Sequence, residues 1–326
     1  MTQFPNSKTF AFTIFDDTDL STVENVQPVY RLLDELGFRT TKSVWPLASQ
    51  PQGRYGGQSL QDAEYLRFIK ELHQRGFEIA LHGVRNTHAT RQEIHHGIEE
   101  FIRLLGAKPR VHANHSTNID NIYWGAARFS LLKSAYQLSA AFRPGRDFSG
   151  HNSASPYFWG DLCRANIDYV RNFVFCDINV AGINPSMPYH DPSKPWVNAW
   201  FSSSDGADVD RFCSLLSEEN QDRLEEQRGI CIVYTHFACG FVERGRVKPR
   251  VAELLRRVSQ KGGWFVPVSN LLDFCRLQRG TLAIPRRELW TMELRWAIDR
   301  LSSAMSRKPV RDPSIIAHEE LSSVSA

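Results

Sequence analysis

The chain has 326 residues, of which 42% are hydrophobic and 23% charged, and a formal net charge of +3. This balance is ordinary for a globular protein with a buried core, and it excludes a disordered, collagen-like or disulfide-scaffold chain. The small excess of basic residues lies in segment 276–311, so the main body is close to neutral and gives no argument for nucleic acid as a partner.

The cysteines and the apolar runs indicate a compartment. Six cysteines are scattered along the chain without a CxxC pair, which favours thiols in a reducing compartment over a disulfide frame or a zinc knuckle. No stretch approaches the ~18 apolar residues that span a bilayer, and no secretory signal pattern is seen. We therefore expect a cytoplasmic protein without a transmembrane segment.

Short apolar runs alternate with helical patterns in the first part of the chain. The predicted strands are Thr9–Phe15, Thr40–Leu47, Phe77–Leu81 and Arg110–Asn114. The predicted helices are Val26–Leu36, Leu60–Arg75 and Thr90–Leu105. The last helix begins with a Thr-x-x-Glu capping box formed by Thr90 and Glu93.

The rest of the main body is less regular at first. Residues 120–207 are aromatic and rich in Pro, Asn and Ser, and their pattern predicts no definite elements. The later predicted elements are helix Asp208–Glu226, strand Ile230–Tyr234, helix Pro249–Lys261, strand Trp264–Pro267 and helix Asn270–Leu277. Strands that alternate with helices predict a parallel sheet of the α/β class. The number of units favours a closed or nearly closed (β/α) barrel over an open doubly wound sheet.

We divide the chain into a barrel domain, residues 1–280, and a basic helical extension with a tail, residues 281–326. The apolar residues of a helix predicted over Glu288–Ser306 fall on one face: Trp290, Leu294, Ala297, Leu301 and Ala304. We expect this stripe to pack on the barrel and residues 312–326 to form a frayed tail. The weaker alternative is peripheral contact of residues 286–306 with an anionic membrane or a lipid-linked substrate.

Four predicted strands end in residues that bind metals or transfer protons. These residues are Asp16 and Asp17, with Asp19 just after them, and then His82, His115 and His236. In a parallel α/β barrel, catalytic groups lie at the carboxyl ends of the strands. Carboxylates and imidazoles gathered at one rim are the ligand set of a hydrolytic site for zinc or a similar divalent ion.

The spacing of these residues suggests a division of roles. The side chains of Asp16 and Asp17 point in different directions because side chains alternate along a strand, so one can bind an ion while the other accepts a proton from water. His82 and His88 lie in one strand-to-helix loop and can close on one ion, although His88 could instead be solvated. His236 could protonate a leaving amine or be a core histidine. Trp159, in an aromatic loop, could stack on a sugar or simply pack.

These motifs, in this order, resemble those of the polysaccharide deacetylase superfamily (NodB homology, carbohydrate esterase family four). The likeness covers roughly Thr9–Leu277. It rests on Phe15-Asp16-Asp17, Gly76–His82 with His88, Tyr234-Thr235-His236 and Phe265–Asp273. The resemblance implies a distorted (β/α) barrel with about seven parallel strands, to which the C-terminal amphipathic helix is added.

The resemblance also implies roles for the site residues. Asp16 would be the catalytic base, Asp17, His82 and His88 would hold the metal, and His236 would be the general acid. The chain departs from the family pattern at Thr18, where glycine is usual, and in the six-residue spacing of His82 and His88.

A third departure concerns the substrate contacts. Segment Val111–Asn121 stands where the family has an arginine–proline motif, and its Asn114, His115 and Asn118 would supply substrate contacts instead. The likeness is therefore to a divergent branch of the family.

We therefore predict a metal-dependent hydrolase that removes an N-acetyl or other N-acyl group from an amino sugar, a polysaccharide or its precursor. The cofactor would be one divalent ion, Zn²⁺ first and Co²⁺, Mn²⁺ or Ni²⁺ as alternatives. Two other functions stay open. A narrow pocket closed by residues 140–205 would favour a C–N hydrolase of a small amide, similar to allantoinases. A chain without metal would be a catalytically inactive glycan-binding relative.

Overall fold

Seven parallel strands form the centre of the molecule in a computed structural model that describes residues 4–115, 118–140 and 147–305. They are β1 (Phe10–Asp16), β2 (Thr41–Val44), β3 (Glu78–Leu81), β4 (Val111–His112), β5 (Tyr169–Phe175), β6 (Ala199–Asp205) and β7 (Ile230–Thr235). Each strand pairs with the next, and β7 pairs with β1, so the sheet closes. The predicted (β/α) barrel is confirmed.

Helices surround this barrel. They are α1 (Val23–Glu35), α2 (Ala63–Gln74), α3 (Arg91–Leu105), α4 (Lys133–Ala140), α5 (Gly160–Asn166), α6 (Val180–Ile183), α7 (Val209–Leu215), α8 (Glu218–Glu226), α9 (Pro249–Ser259), α10 (Val268–Arg279) and α11 (Arg286–Met305). The short strands β8 (Val242–Glu243) and β9 (Arg246–Val247) form a hairpin. Strand β10 (Gly263–Trp264) pairs with the beginning of β1.

The structure adds elements where the sequence predicted none. Strands β5 and β6 both lie within residues 120–207, and the barrel closes through them. The helix predicted over Asp208–Glu226 is two helices, because the side chain of Ser217 accepts a hydrogen bond from the backbone N–H of Asn220 and caps the start of α8. No helix within the described ranges is long and apolar enough to cross a membrane.

The alternation of side chains along β1 directs the residues that follow it. Ala11 and Phe15 belong to an apolar cluster formed mainly by the barrel strands, whereas Phe12 and Ile14 belong to the cluster shared with the helices. Odd-numbered residues of β1 therefore face the barrel interior, and even-numbered residues face the helical layer. Asp16, the last residue of β1, therefore points outward, and the same alternation aims Asp17, one residue beyond the strand, inward.

Helix α11 packs on the barrel as expected, but through a different face. Leu289 and Met292 are buried, and the ring of Trp296 lies against Phe129 and Phe173, with centroids 5.1 and 6.2 Å away. The predicted stripe is wrong, because its large members Trp290, Leu294 and Leu301 are 42%, 48% and 65% exposed.

A buried acid explains the choice of face. The carboxylate of Glu293, fully buried in α11, accepts hydrogen bonds from the backbone N–H groups of Ser130, Leu131 and Leu132. These bonds compensate the burial of its charge and fix the rotation of the helix. Residues 312–326, predicted as a frayed tail, and the side chain of Ala304 lie outside the described part of the chain.

Candidate metal and catalytic site

Asp16, predicted as the catalytic base, is held in a buried ion pair. Its Oδ2 lies 2.8 Å from Nζ of Lys42 and accepts a hydrogen bond from the hydroxyl of Tyr30 at 3.0 Å. Its Oδ1 accepts the backbone N–H of Phe237 at 2.8 Å. Both oxygens are thus occupied in the layer between the barrel and the helices, and the side chain is not among those that line the site cavity. This placement gives Asp16 a structural contact rather than access to a substrate.

The environment of this pair raises the pKa values of both side chains. Burial raises the pKa of Asp16 above 3.8, although the charge of Lys42 opposes the shift. Burial alone would lower the pKa of Lys42, but the charge of Asp16 outweighs it and raises that pKa above 10.5.

Removal of the cation should therefore weaken the fold in a pH-dependent way. We expect Lys42→Met to lower the free energy of unfolding by about 3–5 kcal/mol at neutral pH, because it leaves a buried carboxylate unpaired. In this variant the pKa of Asp16 in the folded state stays above its value in the unfolded state. The protonated acid therefore stabilises the fold below the unfolded-state pKa, and this contribution is lost as the pH rises through the folded-state pKa. Urea unfolding between about pH 4 and 8 measures this loss. The double variant Lys42→Met/Asp16→Asn should regain most of the stability. An equal loss of stability in the single and the double variant would contradict the role of the unpaired carboxylate.

Asp17 points into the barrel, where an arginine of β5 holds it. Nη1 of Arg171 donates to Oδ1 at 2.9 Å, and Nη2 donates to Oδ2. The guanidinium itself lies over the rings of Phe15 and Tyr234, 4.9 and 4.3 Å from their centroids. Burial would raise the pKa of Asp17, but the charges of Arg171 and His82 outweigh it and hold that pKa below 3.8. Asp17 is therefore ionised at neutral pH and lines the cavity.

Beside Asp17, three buried side chains converge as a group that could hold a metal ion. Asp19, His82 and His115 each offer one ligand atom, and these atoms lie within 4.8 Å of one another. Oδ1 of Asp19 is 2.9 Å from Nδ1 of His115, and Oδ2 is 3.6 Å from Nε2 of His82. The structure thus brings His115, predicted as a substrate contact, into the cluster.

The hydrogen bonding of this cluster fits a cation. Oδ1 of Asp19, Nε2 of His82 and Nδ1 of His115 are buried and make no well-aligned hydrogen bond within the described residues, although the first and the third lie 2.9 Å apart. The other ring nitrogen of His115 lies 3.1 Å from the carbonyl oxygen of Asn86, which can accept its N–H and leave a lone pair on Nδ1. Buried polar atoms without partners are costly, and one carboxylate with two imidazoles is a set that binds divalent transition metals.

His236 stands at the same cluster, as the sequence predicted for the end of β7. Its Nδ1 lies 2.7 Å from the carbonyl oxygen of Ala207, and its Nε2 lies 3.2 Å from Oδ2 of Asp19. Burial alone would lower the pKa of His236, but the hydrogen bond and charge of Asp19 raise it to about 9. The imidazole lines the cavity in an orientation set by the Ala207 carbonyl.

His88, predicted as a metal ligand, is not brought to this group. Its side chain is exposed, and its ring lies 5.7 Å from that of Tyr157. The loop is fixed on both sides of it: the side chain of Asn86 accepts the backbone N–H of Gln50, and the backbone N–H of Ala89 donates to Asp120. These two anchors turn His88 outward, so the group that the structure brings together contains Asp19 and His115 with His82, and not the predicted His88.

The other predicted substrate contacts are placed differently from one another. Asn114 lines the cavity, but its amide is occupied by the backbone of Ile122, to which it donates and from which it accepts at 3.0 Å. Asn118 is buried, and its amide nitrogen has no partner in the described residues. Trp159 does not line the cavity, because its indole is buried and donates to the carbonyl of Asp120 at 2.7 Å.

A cavity of about 490 Å³ opens over the cluster. Several of its lining residues were not predicted from the sequence: Tyr55, Trp124, Arg128, Arg171, Arg211, Trp296 and Arg300. Three of them lie in the stretch between 120 and 207 that predicted no elements. Trp296 and Arg300 belong to α11, so the C-terminal extension forms part of the cavity wall.

Comparison with known proteins identifies the fold. No family model matches the sequence, and no curated protein matches it. Among solved structures, the chain is similar to a "putative polysaccharide deacetylase" from Mycobacterium smegmatis, with a TM-score of 0.52, 13% identity, and coverage of 87% of this chain and 96% of that one. The chain has the polysaccharide deacetylase fold. It is also similar to Puue allantoinase, with a TM-score of 0.49, 12% identity, and coverage of 84% and 93%.

Proposed function

We propose that this protein with a deacetylase fold is a metal-dependent hydrolase that removes an N-acyl group, in the first place acetyl, from an amino sugar, a polysaccharide or its precursor. One observation supports the proposal above all. Three buried ligand atoms, from Asp19, His82 and His115, make no well-aligned hydrogen bond within the described residues and converge beside an ionised carboxylate that Arg171 holds in the same cavity.

In this proposal Asp19, His82 and His115 hold one divalent ion. Zinc suits one carboxylate and two imidazoles, with Co²⁺, Mn²⁺ and Ni²⁺ as alternatives. When bound, such an ion supplies a Lewis acid that polarises the acyl carbonyl and lowers the pKa of water.

The chain's own residues would perform the proton transfers. Asp17 accepts a proton from the attacking water, and Arg171 orients its carboxylate through two hydrogen bonds. His236, oriented by the Ala207 carbonyl, donates a proton from Nε2 to the leaving nitrogen. A C–O bond to the acyl carbon forms while the C–N bond breaks, which gives a carboxylic acid and an amine.

The role of Arg171 as a positioning residue can be tested by the pH profile. Arg171→Met removes the charge that holds the pKa of Asp17 down, so that pKa should rise. Because the base works only when ionised, the acid limb of the kcat/KM profile should move to higher pH. Arg211→Gln is the matched control, since Arg211 lines the same cavity but pairs with Asp205 and Asp208. An acid limb that stays in place in Arg171→Met would contradict this role.

The size of the cavity favours a second candidate function. About 490 Å³ suits a substrate of the size of a small molecule or one to two sugar units, and α11 walls one side of it. A C–N hydrolase of a small linear or cyclic amide is therefore the alternative within the same chemistry.

The experiment that tests the proposal uses the purified full chain, stripped of metal by a chelator and reloaded with zinc, cobalt or manganese. We expect release of acetate from N-acetylglucosamine or its oligomers only after reloading. Turnover of allantoin without release of acetate would favour the second candidate. A chain that retains no ion and turns over none of these substrates would favour the catalytically inactive glycan-binding relative, and the proposal would fail.

The location in the cytoplasm also stays a proposal. No disulfide joins the six cysteines, all of which lie within the described residues. Thiols of this kind agree with a reducing compartment.

A further inference from the structure

One part of the cavity wall is cationic and is not used by the proposed hydrolysis. It is formed by Trp124 and Arg128, from the segment before α4, and by Trp296 and Arg300 from α11. We call these four residues the arginine wall. Two of them come from the C-terminal extension, so the extension contributes to the surface that a substrate would contact.

Arg128 is a buried cation without a counter-charge. It is only 7% exposed, and its Nε and Nη2 donate to the side chain and backbone oxygens of Asn172. Among the described residues, no carboxylate lies within ion-pair distance of Arg128, and its Nη1 has no hydrogen-bond partner. Two other cavity arginines differ, because Arg171 pairs with Asp17, and Arg211 pairs with Asp205 at 3.3 Å.

Aromatic rings stabilise this guanidinium but do not neutralise it. Its central carbon lies 4.1 Å from the ring centroid of Trp124, 4.8 Å from Phe173 and 5.4 Å from Trp296. Such contacts attract the cation through the ring faces, which carry no net charge. Burial, followed by repulsion from Arg300, lowers the pKa of Arg128 to about 9, as expected for a guanidinium that lacks an anion.

Arg300 adds a second cation at the ring of Trp296, with its central carbon 5.7 Å from the centroid. Its Nη2 donates to the carbonyl of Val174 at 3.1 Å, and its Nε is buried without a partner in the described residues. Its side chain remains 34% exposed, and the carboxylate of Asp205, 3.9 Å from its Nη1, is closer to Arg211. Two guanidinium groups in one wall repel each other, and an anion bound on their solvent side would compensate both charges.

We infer that the arginine wall is a subsite for an anionic group, a carboxylate or a phosphoryl group, on the substrate away from its scissile amide. Guanidinium groups bind both kinds of anion through paired hydrogen bonds. This inference deepens the proposed function and rests on it, because it takes the bound anion to be part of the substrate. The substrate would then be an N-acylated sugar or small amide that carries a negative charge, not a neutral polymer.

The test measures binding of anions to the chelator-treated full chain, so it does not depend on turnover. Inorganic phosphate and glucuronate are the two probes, for phosphoryl and carboxylate groups, and glucose is the neutral control. Titration calorimetry should show saturable binding of at least one anion and none of glucose. The anion that binds more tightly identifies the source of the charge.

Variants assign that binding to the arginine wall. Arg300→Gln and Arg128→Met should each weaken the preferred anion at least about ten-fold. Arg250→Gln is the matched control, because it also removes one positive charge from the chain. Arg250 is exposed and pairs with Glu218 outside the cavity, so this variant should bind the anion as the unmodified chain does. Arg300→Gln decides the matter if Arg128→Met unfolds. Absence of anion binding, or equal affinity in Arg300→Gln and Arg250→Gln, would overturn the inference, even if acetate release had been demonstrated.

Discussion

Asp17→Asn is expected to lower kcat by about 10²- to 10⁴-fold, the contribution typical of a general base. The amide of asparagine can still accept a hydrogen bond from Arg171, but it cannot take the proton of the attacking water. The ligand atoms of Asp19, His82 and His115 are untouched by the change, so the metal content should remain. Release of acetate in steady state, together with elemental analysis of the same sample, measures both quantities.

The matched control is the same change at the preceding residue. Asp16→Asn weakens the buried pair with Lys42 and should lower the melting temperature, while the folded fraction keeps its turnover. The two adjacent variants therefore separate stability from catalysis. A near-normal kcat for Asp17→Asn, or a catalytic loss confined to Asp16→Asn, would return the role of base to Asp16.

The proposed exchange of roles between Asp16 and Asp17 depends on an orientation that the sequence could not decide. It predicted correctly that the two carboxylates point in different directions. It could not predict which one points inward, because β1 is apolar on both faces and the alternation gives no sign of the interior. The structure supplies that sign through Phe15, which lies in the cluster of the barrel strands, and through Tyr30 of α1, which donates to Asp16.

The rule that catalytic groups lie at the carboxyl ends of parallel strands predicted most residues of the candidate site. Asp17, Asp19, His82, His115 and His236 all follow barrel strands, and all lie in or beside the cluster. Their grouping could be predicted because parallel strands deliver their carboxyl ends to one rim. The choice among them depended on loop conformation, as the outward turn of His88 shows.

Arg171 was missed for a different reason. Strand β5 reads Tyr-Val-Arg-Asn-Phe-Val-Phe, and the polar pair in its centre interrupts the apolar pattern that indicates a buried strand. The arginine is compatible with the barrel only because Asp17, distant in sequence, neutralises it. The aromatic and β-branched residues around that pair were the available signal for a strand.

Loss of metal from His115→Ala, and its retention by His88→Ala, is the expected result that separates the proposed ligand set from the one predicted from the sequence. Changes to residues that only orient a ligand typically cost about 10- to 100-fold in metal affinity, so removal of the ligand itself should cost at least as much. Each variant would be loaded with zinc, dialysed against metal-free buffer and measured by elemental analysis.

His88 is the control, because it is also a histidine and follows His82 in the same loop, but its side chain is exposed and lies against Tyr157. We expect about one zinc per chain in His88→Ala, and less than about a tenth of that in His115→Ala and Asp19→Ala. Zinc should also raise the melting temperature of His88→Ala but not of the other two, since a ligand that binds only the folded state stabilises it. The opposite pattern would show that His88 reaches the ion in solution, and the assignment of Asp19, His82 and His115 would then be wrong.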